Sequence, residues 1–241
     1  MSLEEKLLQQ VRGRFDVPKE LRPNSILIFG DVHGYTSTYQ KFIRRLPPGQ
    51  RTIQIGDMAL GFEGVGLHRM PDEHKFFRGN HDCPQECRAH PNYLGDYGYI
   101  PETGIFYLAG AWSIDRAMRV EDQSWWRDEE LSYEELDRAV ELYRQTKPRF
   151  VLSHEAPAKV SGVLLAHIMG PYFAAKGECS KSRTAQALQI MLEDHAPKEW
   201  VFGHYHVDKQ FYTPGFNTKF TCVGGQMELG DAPHTYWLDL D

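Results

Sequence analysis

The sequence predicts a mixed α/β domain, on three observations. Short apolar runs recur along the chain, each closed by glycine or a polar residue. Between several of them lie polar segments with helical spacing. No low-complexity block or internal repeat interrupts the alternation, so the runs read as buried strands of a sheet core flanked by helices.

The 241 residues fit one domain, with a motif-bearing core over about 25–240 and a short N-terminal extension, 1–24. In the extension Leu3, Leu7, Leu8 and Val11 give a short helical pattern ahead of Pro18 and Pro23. Ser25-Ile26-Leu27-Ile28-Phe29 then reads as a strand stopped by Gly30. A helix is expected over 37–46, with Ser37 and Gln40 at capping-box spacing and Pro47-Pro48 as the stop. Strands follow over 51–55, 74–78 and 104–108, then a polar helix over 133–145 opened by Ser132 and Glu135. Phe150-Val151-Leu152 is a strand, 183–194 a helix closed by Pro197, and Trp200-Val201-Phe202 a further strand. The tail, 209–240, alternates like a run of antiparallel strands. Two long connections remain, the glycine-rich 59–73 and 156–182, both directly after polar strand ends and both expected to recognise substrate.

Composition narrows the class. A hydrophobic share of 41% with 25% charged residues is that of a soluble globular protein. No apolar run reaches the roughly 20 residues that cross a bilayer. Met1-Ser2-Leu3-Glu4-Glu5-Lys6 lacks the apolar centre of a secretory signal, so a cytoplasmic location without membrane attachment is expected. Cys83, Cys87, Cys179 and Cys222 form no disulfide framework. A net charge of -6 disfavours a broad nucleic-acid surface, yet leaves room for an anionic substrate, because bound divalent cations reverse the local potential.

The chemistry lies at the strand ends. Five runs finish in Asp31-Val32-His33, Asp57, Asn80-His81, His154 and His204-Tyr205-His206. In layered α/β proteins such ends share one crevice. Their oxygen and imidazole donors, without thiolate, suit Mn, Fe, Zn, Co or Ni better than a structural cysteine zinc site. A carboxylate can bridge two ions, and an amide adds an oxygen without charge. One such fragment would read as an ordinary hydrogen-bonded residue; five in order do not.

Gly30-Asp31-Val32-His33-Gly34, Gly56-Asp57, Gly79-Asn80-His81-Asp82, Ser153-His154-Glu155 and Gly203-His204-Tyr205-His206 resemble, in order, the motif series of the calcineurin-like metallophosphoesterase superfamily. The resemblance spans about residues 26–206. It implies a four-layer α/β/β/α sandwich of two mixed sheets, with two divalent metal ions at the strand ends, manganese first and iron, zinc, nickel or cobalt as alternatives. It assigns Asp31, His33 and His206 to one ion, Asp57 to both, and Asn80, His154 and His204 to the other. His81 would stand beside the phosphoryl site as the catalytic imidazole, oriented by Asp82. The implied reaction is attack on phosphorus by a hydroxide held between the ions, with no covalent phospho-enzyme.

Departures from the pattern refine the expectation. Gly56-Asp57-Met58-Ala59-Leu60-Gly61-Phe62 lacks the arginine that the serine/threonine protein phosphatases carry there, and His154-Glu155-Ala156-Pro157 replaces their His-Gly-Gly. The form is closer to branches that cleave phosphodiesters and small phosphorylated compounds. The segment 110–131, with Ser113-Ile114-Asp115-Arg116 and Trp125-Trp126, resembles small microbial and phage-type members. Arg78 and Arg116 are candidate phosphate ligands. Trp125-Trp126 is assigned to packing, Cys83 and Cys87 to free thiols, and His68, His74, His90, His167, His195 and His234 to structure. The expected substrate is a small nucleotide-like phosphodiester or phosphomonoester. A protein phosphatase or nuclease is the alternative, followed by a non-catalytic scaffold, which would not need the full ligand set and His81.

Overall fold

Successive residues of a strand face opposite sides of its sheet, and in most strands here residues on both sides are buried. Each sheet must therefore be covered twice, which is the physical origin of a layered fold. The structure, a computed structural model, describes residues 17–169, 181–224 and 232–241. In chain order the elements are β1 (Ser25–Phe29), α1 (Thr36–Ile43), β2 (Thr52–Ile55), β3 (His74–Phe77), α2 (Pro84–Ala89), β4 (Tyr97–Ile100), β5 (Ile105–Leu108), α3 (Tyr133–Thr146), β6 (Phe150–Ser153), α4 (Ala158–Met169), α5 (Arg183–Asp194), β7 (Glu199–Phe202), β8 (Lys209–Phe211), β9 (Lys219–Cys222) and β10 (Thr235–Asp239).

The strands form two sheets. One is ordered β10-β1-β2-β3, the other β4-β5-β6-β7-β9-β8. β1, β2 and β3 are parallel, and β10 closes that sheet antiparallel to β1, with Ser25 opposite Asp239 and Phe29 opposite Thr235. β5, β6, β7 and β9 are parallel, with antiparallel β4 and β8 at the edges. Ile26, Ile28, Ile53, Ile55 and Phe77 of the first sheet meet Ile105, Phe150, Leu152 and Val201 of the second, so the two pack face to face. The alternate residues Leu27 and Phe29 turn outward to Tyr39 and Phe42 of α1. On the other side Phe106, Val151, Trp200 and Phe202 pack under α3, α4 and α5 through Tyr143, Leu164, Leu188 and Met191. The result is the four-layer α/β/β/α sandwich.

Local signals account for some boundaries and mislead at others. α3 starts at the expected box: Glu135 N–H donates to Ser132 Oγ at 3.3 Å and Ser132 N–H to the Glu135 carboxylate at 2.8 Å. The box expected at Ser37 and Gln40 does not form. α1 already begins out of a turn in which Tyr35 N–H donates to Val32 C=O, and Gln40 points inward to the His68 carbonyl. Segment 156–182 is not one long loop, because α4 occupies its first half, with Val160 and Leu164 buried one turn apart; 59–73 is irregular as expected. The tail is antiparallel only in part. β8 and β9 form a hairpin, but β9 is parallel to β7 and β10 crosses to the other sheet. The helical pattern of Leu3 to Val11 and Cys179 lie outside the described residues, while Cys83, Cys87 and Cys222 are free. Among the described residues no helix is long and apolar enough to cross a membrane.

Candidate metal centre

Every polar strand end singled out in the sequence arrives at one place, the C-terminal edge of the parallel strands of both sheets. The loop after β1 is zipped to the loop after β2: Val32 and His33 N–H both donate to Asp57 C=O, at 3.0 and 2.8 Å, and Gly34 N–H donates to Met58 C=O. His33, Asp57, His204 and His206 all have positive φ, between 46° and 69°. Such backbone costs on the order of 1 kcal/mol per non-glycine residue, and the tight turns that impose it are what aim these side chains inward. Gly79 shows how close the elements come, since a Cβ there would lie 2.2 Å from Asp57 Oδ1 and 2.6 Å from His154 Nε2.

Among the described residues two clusters of donor atoms result, and they share one residue. Asp31, His33, Asp57 and His206 form the first, and Asp57, His154 and His204 the second, with the ligand atoms of each within 4.8 Å of one another. In the first, His206 Nε2 is 3.3 Å from Asp31 Oδ2, His33 Nε2 is 3.7 Å from both Asp31 Oδ2 and Asp57 Oδ2, and the two Nε2 atoms are 3.0 Å apart. In the second, His154 Nε2 lies 3.2 Å from Asp57 Oδ1, and Asn80 Oδ1 lies 3.1 Å from His154 Nε2 and 3.0 Å from His204 Nδ1. The two oxygens of Asp57 thus face different clusters.

These atoms fit cations. Asp31 Oδ2 is buried and accepts no hydrogen bond. His154 Nδ1–H is committed to the Ile55 carbonyl at 2.8 Å, which leaves Nε2 as the nitrogen that faces two oxygens and can bind a cation. Burial opposes charge on Asp31, Asp57, His33 and His154, but their mutual attraction overrides it. It is offset by His206 and His33 at Asp31, whose carboxyl is held at about 2, and by His154 and His81 at Asp57, held well below the ordinary value. His154 is pushed up to about 10 against its burial, chiefly by Asp57, and His33 is raised chiefly by Asp31. His204, by contrast, is lowered by its burial. Two buried carboxylates that stay ionised need positive charge between them, and a proton on His154 stands where a cation would.

Outer residues hold the donors in place. Asn80 Nδ2 donates to Ser113 Oγ at 2.9 Å, and Ser113 Oγ donates to Glu129 at 2.5 Å, which fixes the amide with its oxygen toward the histidines. Glu155 Oε2 is 3.7 Å from His204 Nε2, and Tyr205 Oη donates to Oε1 of the same carboxylate. Ser113, Glu129 and Glu155 were not anticipated as positioning groups. Their proximity to a motif in the sequence does not reveal it, and for Glu129 the chain offers no signal.

His81 is in neither cluster. Its backbone N–H donates to Asp57 Oδ1 at 2.8 Å, its ring meets that of His33 edge-on at 4.9 Å, and Phe62 stacks at 6.3 Å. Burial lowers its pKa to about 4, with Asp57 opposing and Arg119 reinforcing the shift. Asp82 does not orient this imidazole. Its two oxygens accept from Gly79 N–H at 2.8 Å and Leu60 N–H at 3.1 Å, so it braces the loop that carries His81. Nor does Arg78 face the clusters. It is fully buried, 2.6 Å from Asp96 and bonded to the Glu129 carbonyl, because those acceptors lie on the inner side of its loop. Arg116 is exposed over the Trp112 ring at 5.6 Å. Among the described residues, the arginine that reaches the site is Arg119, whose guanidinium donates to His81 Nε2. Trp126 is buried against Phe62, as the packing role expected of it requires.

Comparison with known proteins adds to this geometry. A family model described as calcineurin-like phosphoesterase matches residues 24–208, which contain every residue of both clusters. No curated protein matches the chain. A conserved uncharacterized protein from Streptococcus pneumoniae TIGR4, described as a predicted phosphoesterase, is similar at 12% identity over 91% of this chain and 86% of its own, with a TM-score of 0.39. At that distance the likeness carries no weight.

Proposed function

Since this chain belongs to the calcineurin-like phosphoesterase family and is a metal-dependent phosphoesterase, we propose that it hydrolyses small, nucleotide-like phosphoesters at a centre of two divalent cations. The observation that carries the reading is Asp57, whose Oδ2 faces His33 at 3.7 Å while Oδ1 faces His154 at 3.2 Å. One carboxylate turned to two donor clusters suits a bridging ligand.

Asp31, His33 and His206 would complete one ion's coordination, and Asn80, His154 and His204 the other's. Manganese suits this oxygen and imidazole set, and iron, zinc, nickel and cobalt are compatible with it. Two such cations would supply hydroxide near neutral pH and positive charge for the phosphoryl oxygens. The chain's own part is to hold the donors, to keep Asp31 and Asp57 ionised, and to place His81 next to the shared carboxylate. From there its imidazole can meet charge developing on the leaving oxygen. The acidic net charge of -6 weighs against a long nucleic acid as substrate.

Chelator-stripped protein, reloaded with manganese, should regain hydrolysis of a nitrophenyl phosphomonoester or its matching diester, with about two manganese ions bound per chain. The ester turned over faster identifies the substrate class. A single ion bound at full activity would contradict the binuclear reading, and bound metal without turnover of either ester would contradict the small-substrate reading.

A further inference from the structure

Arg119 holds an unusual position for a cation beside a centre built to collect positive charge. It comes from a tight turn in which Ser124 and Trp125 N–H donate to Val120 C=O, at 2.9 and 3.1 Å, and Val120 N–H donates to Ser124 Oγ at 3.0 Å. Its side chain is only 8% exposed and its Nη2 sits 2.7 and 2.9 Å from the two oxygens of Asp115. The same Nη2 donates to His81 Nε2.

A guanidinium only donates, so His81 Nε2 is held here as an acceptor. The imidazole cannot swing aside, because its backbone is tied to Asp57 and its ring lies between Phe62 and His33. A nonbridging phosphoryl oxygen carries negative charge and is a better partner for a guanidinium than a neutral ring nitrogen. Asp115 is the second anchor, and it stays attached over a short excursion of the guanidinium.

We propose that Arg119 is the phosphoryl-binding, specificity-determining arginine of this chain, tethered by Asp115, and that its guanidinium passes from His81 Nε2 to a nonbridging oxygen of the substrate. This rests on the phosphoesterase reading above. The selectivity follows from charge, since a monoester dianion offers the guanidinium more than a diester monoanion does.

The test uses manganese-loaded full-length protein, with nitrophenyl phosphate as substrate and inorganic phosphate as competing probe. Arg119→Ala should raise the monoester KM and the phosphate inhibition constant by about 10- to 100-fold, the loss of a charged hydrogen bond, with kcat changed far less and manganese content unaltered. The diester KM should rise by a smaller factor. Arg119→Lys, which keeps the charge without the fork, should give an intermediate rise, and it serves if the alanine variant fails to fold. Unchanged phosphate inhibition in both variants, in a protein whose wild type turns over ester, would overturn the role of Arg119 alone. An equal rise in KM for both esters would overturn the selectivity. Wild-type protein that turns over neither ester with manganese bound would overturn the reading on which the proposal rests.

Discussion

His154 Nε2 and Asp57 Oδ1 stand 3.2 Å apart with both side chains closed to solvent. The other nitrogen of that ring is already bonded to the Ile55 carbonyl. Whatever lies between the two atoms must be positive, and Asp57→Asn removes the charge that attracts it while keeping the shape. The variant should retain at most one manganese ion after exhaustive gel filtration and lose activity by about 100-fold or more. Full metal content and activity would refute a shared carboxylate.

His81 contacts the clusters without contributing to them. His81→Ala should lower kcat by about 100- to 10,000-fold, the range of a general acid–base group, and leave bound manganese at the wild-type level. Metal analysis and steady-state kinetics on one preparation check this. Loss of metal in the variant would make the residue a structural support.

Ser113 acts through Asn80. Ser113→Ala takes away the acceptor of the Asn80 amide and leaves Glu129 without its hydroxyl partner. Metal affinity should fall by about 10- to 100-fold, as for other groups that orient a ligand. A manganese titration followed by activity measures it, and an unchanged affinity would show that the Asn80 amide is held without this contact.

Arg78 and Asp96 give a stability prediction separate from the centre. The guanidinium is fully buried and Asp96 is its carboxylate partner at 2.6 Å. Asp96→Asn should destabilise the fold by about 3 kcal/mol, the cost of leaving a buried charge unpaired. Burial alone would raise the Asp96 pKa, but Arg78, Tyr93 and Arg88 outweigh it and hold the group below its ordinary value of 3.8. The stabilisation is therefore complete above that value and is lost as pH falls through the depressed folded-state pKa. Urea unfolding across acid pH should show the wild type losing stability faster than Asp96→Asn, and parallel curves would refute the assignment.

The strands that carry the centre were legible because their signal is local and strong. β1, β6 and β7 are largely apolar on both faces, β2 is apolar on the Ile53 and Ile55 face, and all four end abruptly in polar residues, so periodicity and punctuation agree. α3 was legible through Ser132, whose hydroxyl accepts from Glu135 N–H, and α5 through its spacing and the stop at Pro197, although its cap Ser182, which accepts from Ala185 N–H, gave no separate signal. β4 was not, because Tyr97–Ile100 is a half-exposed edge whose Gly98 leaves room for the Tyr107 hydroxyl, a relation set by its partner strand. The place of β10 was hidden for a similar reason, as its pairing with β1 joins opposite ends of the chain. Among the arginines, adjacency to a motif pointed to Arg78 and Arg116, but direction is decided by the turn at 120–125, and it is Arg119 that faces inward. The donor residues themselves needed no such information, since strand ends of a layered fold have one crevice to enter.

The division of the donors between sheets has a mechanical consequence. Asp31, His33, Asp57 and Asn80 follow β1, β2 and β3, whereas His154, His204 and His206 follow β6 and β7. Each cluster draws on both sheets. A cation seated there is a rivet through the seam, and its binding free energy doubles as cohesion between the halves of the sandwich, about 2.7 kcal/mol when free metal exceeds its dissociation constant a hundredfold. Chelation would then do more than silence a reaction. It would loosen the seam at the reactive edge, where amide exchange should quicken first in β1 and β6, and would make metal supply a determinant of how long the folded chain endures.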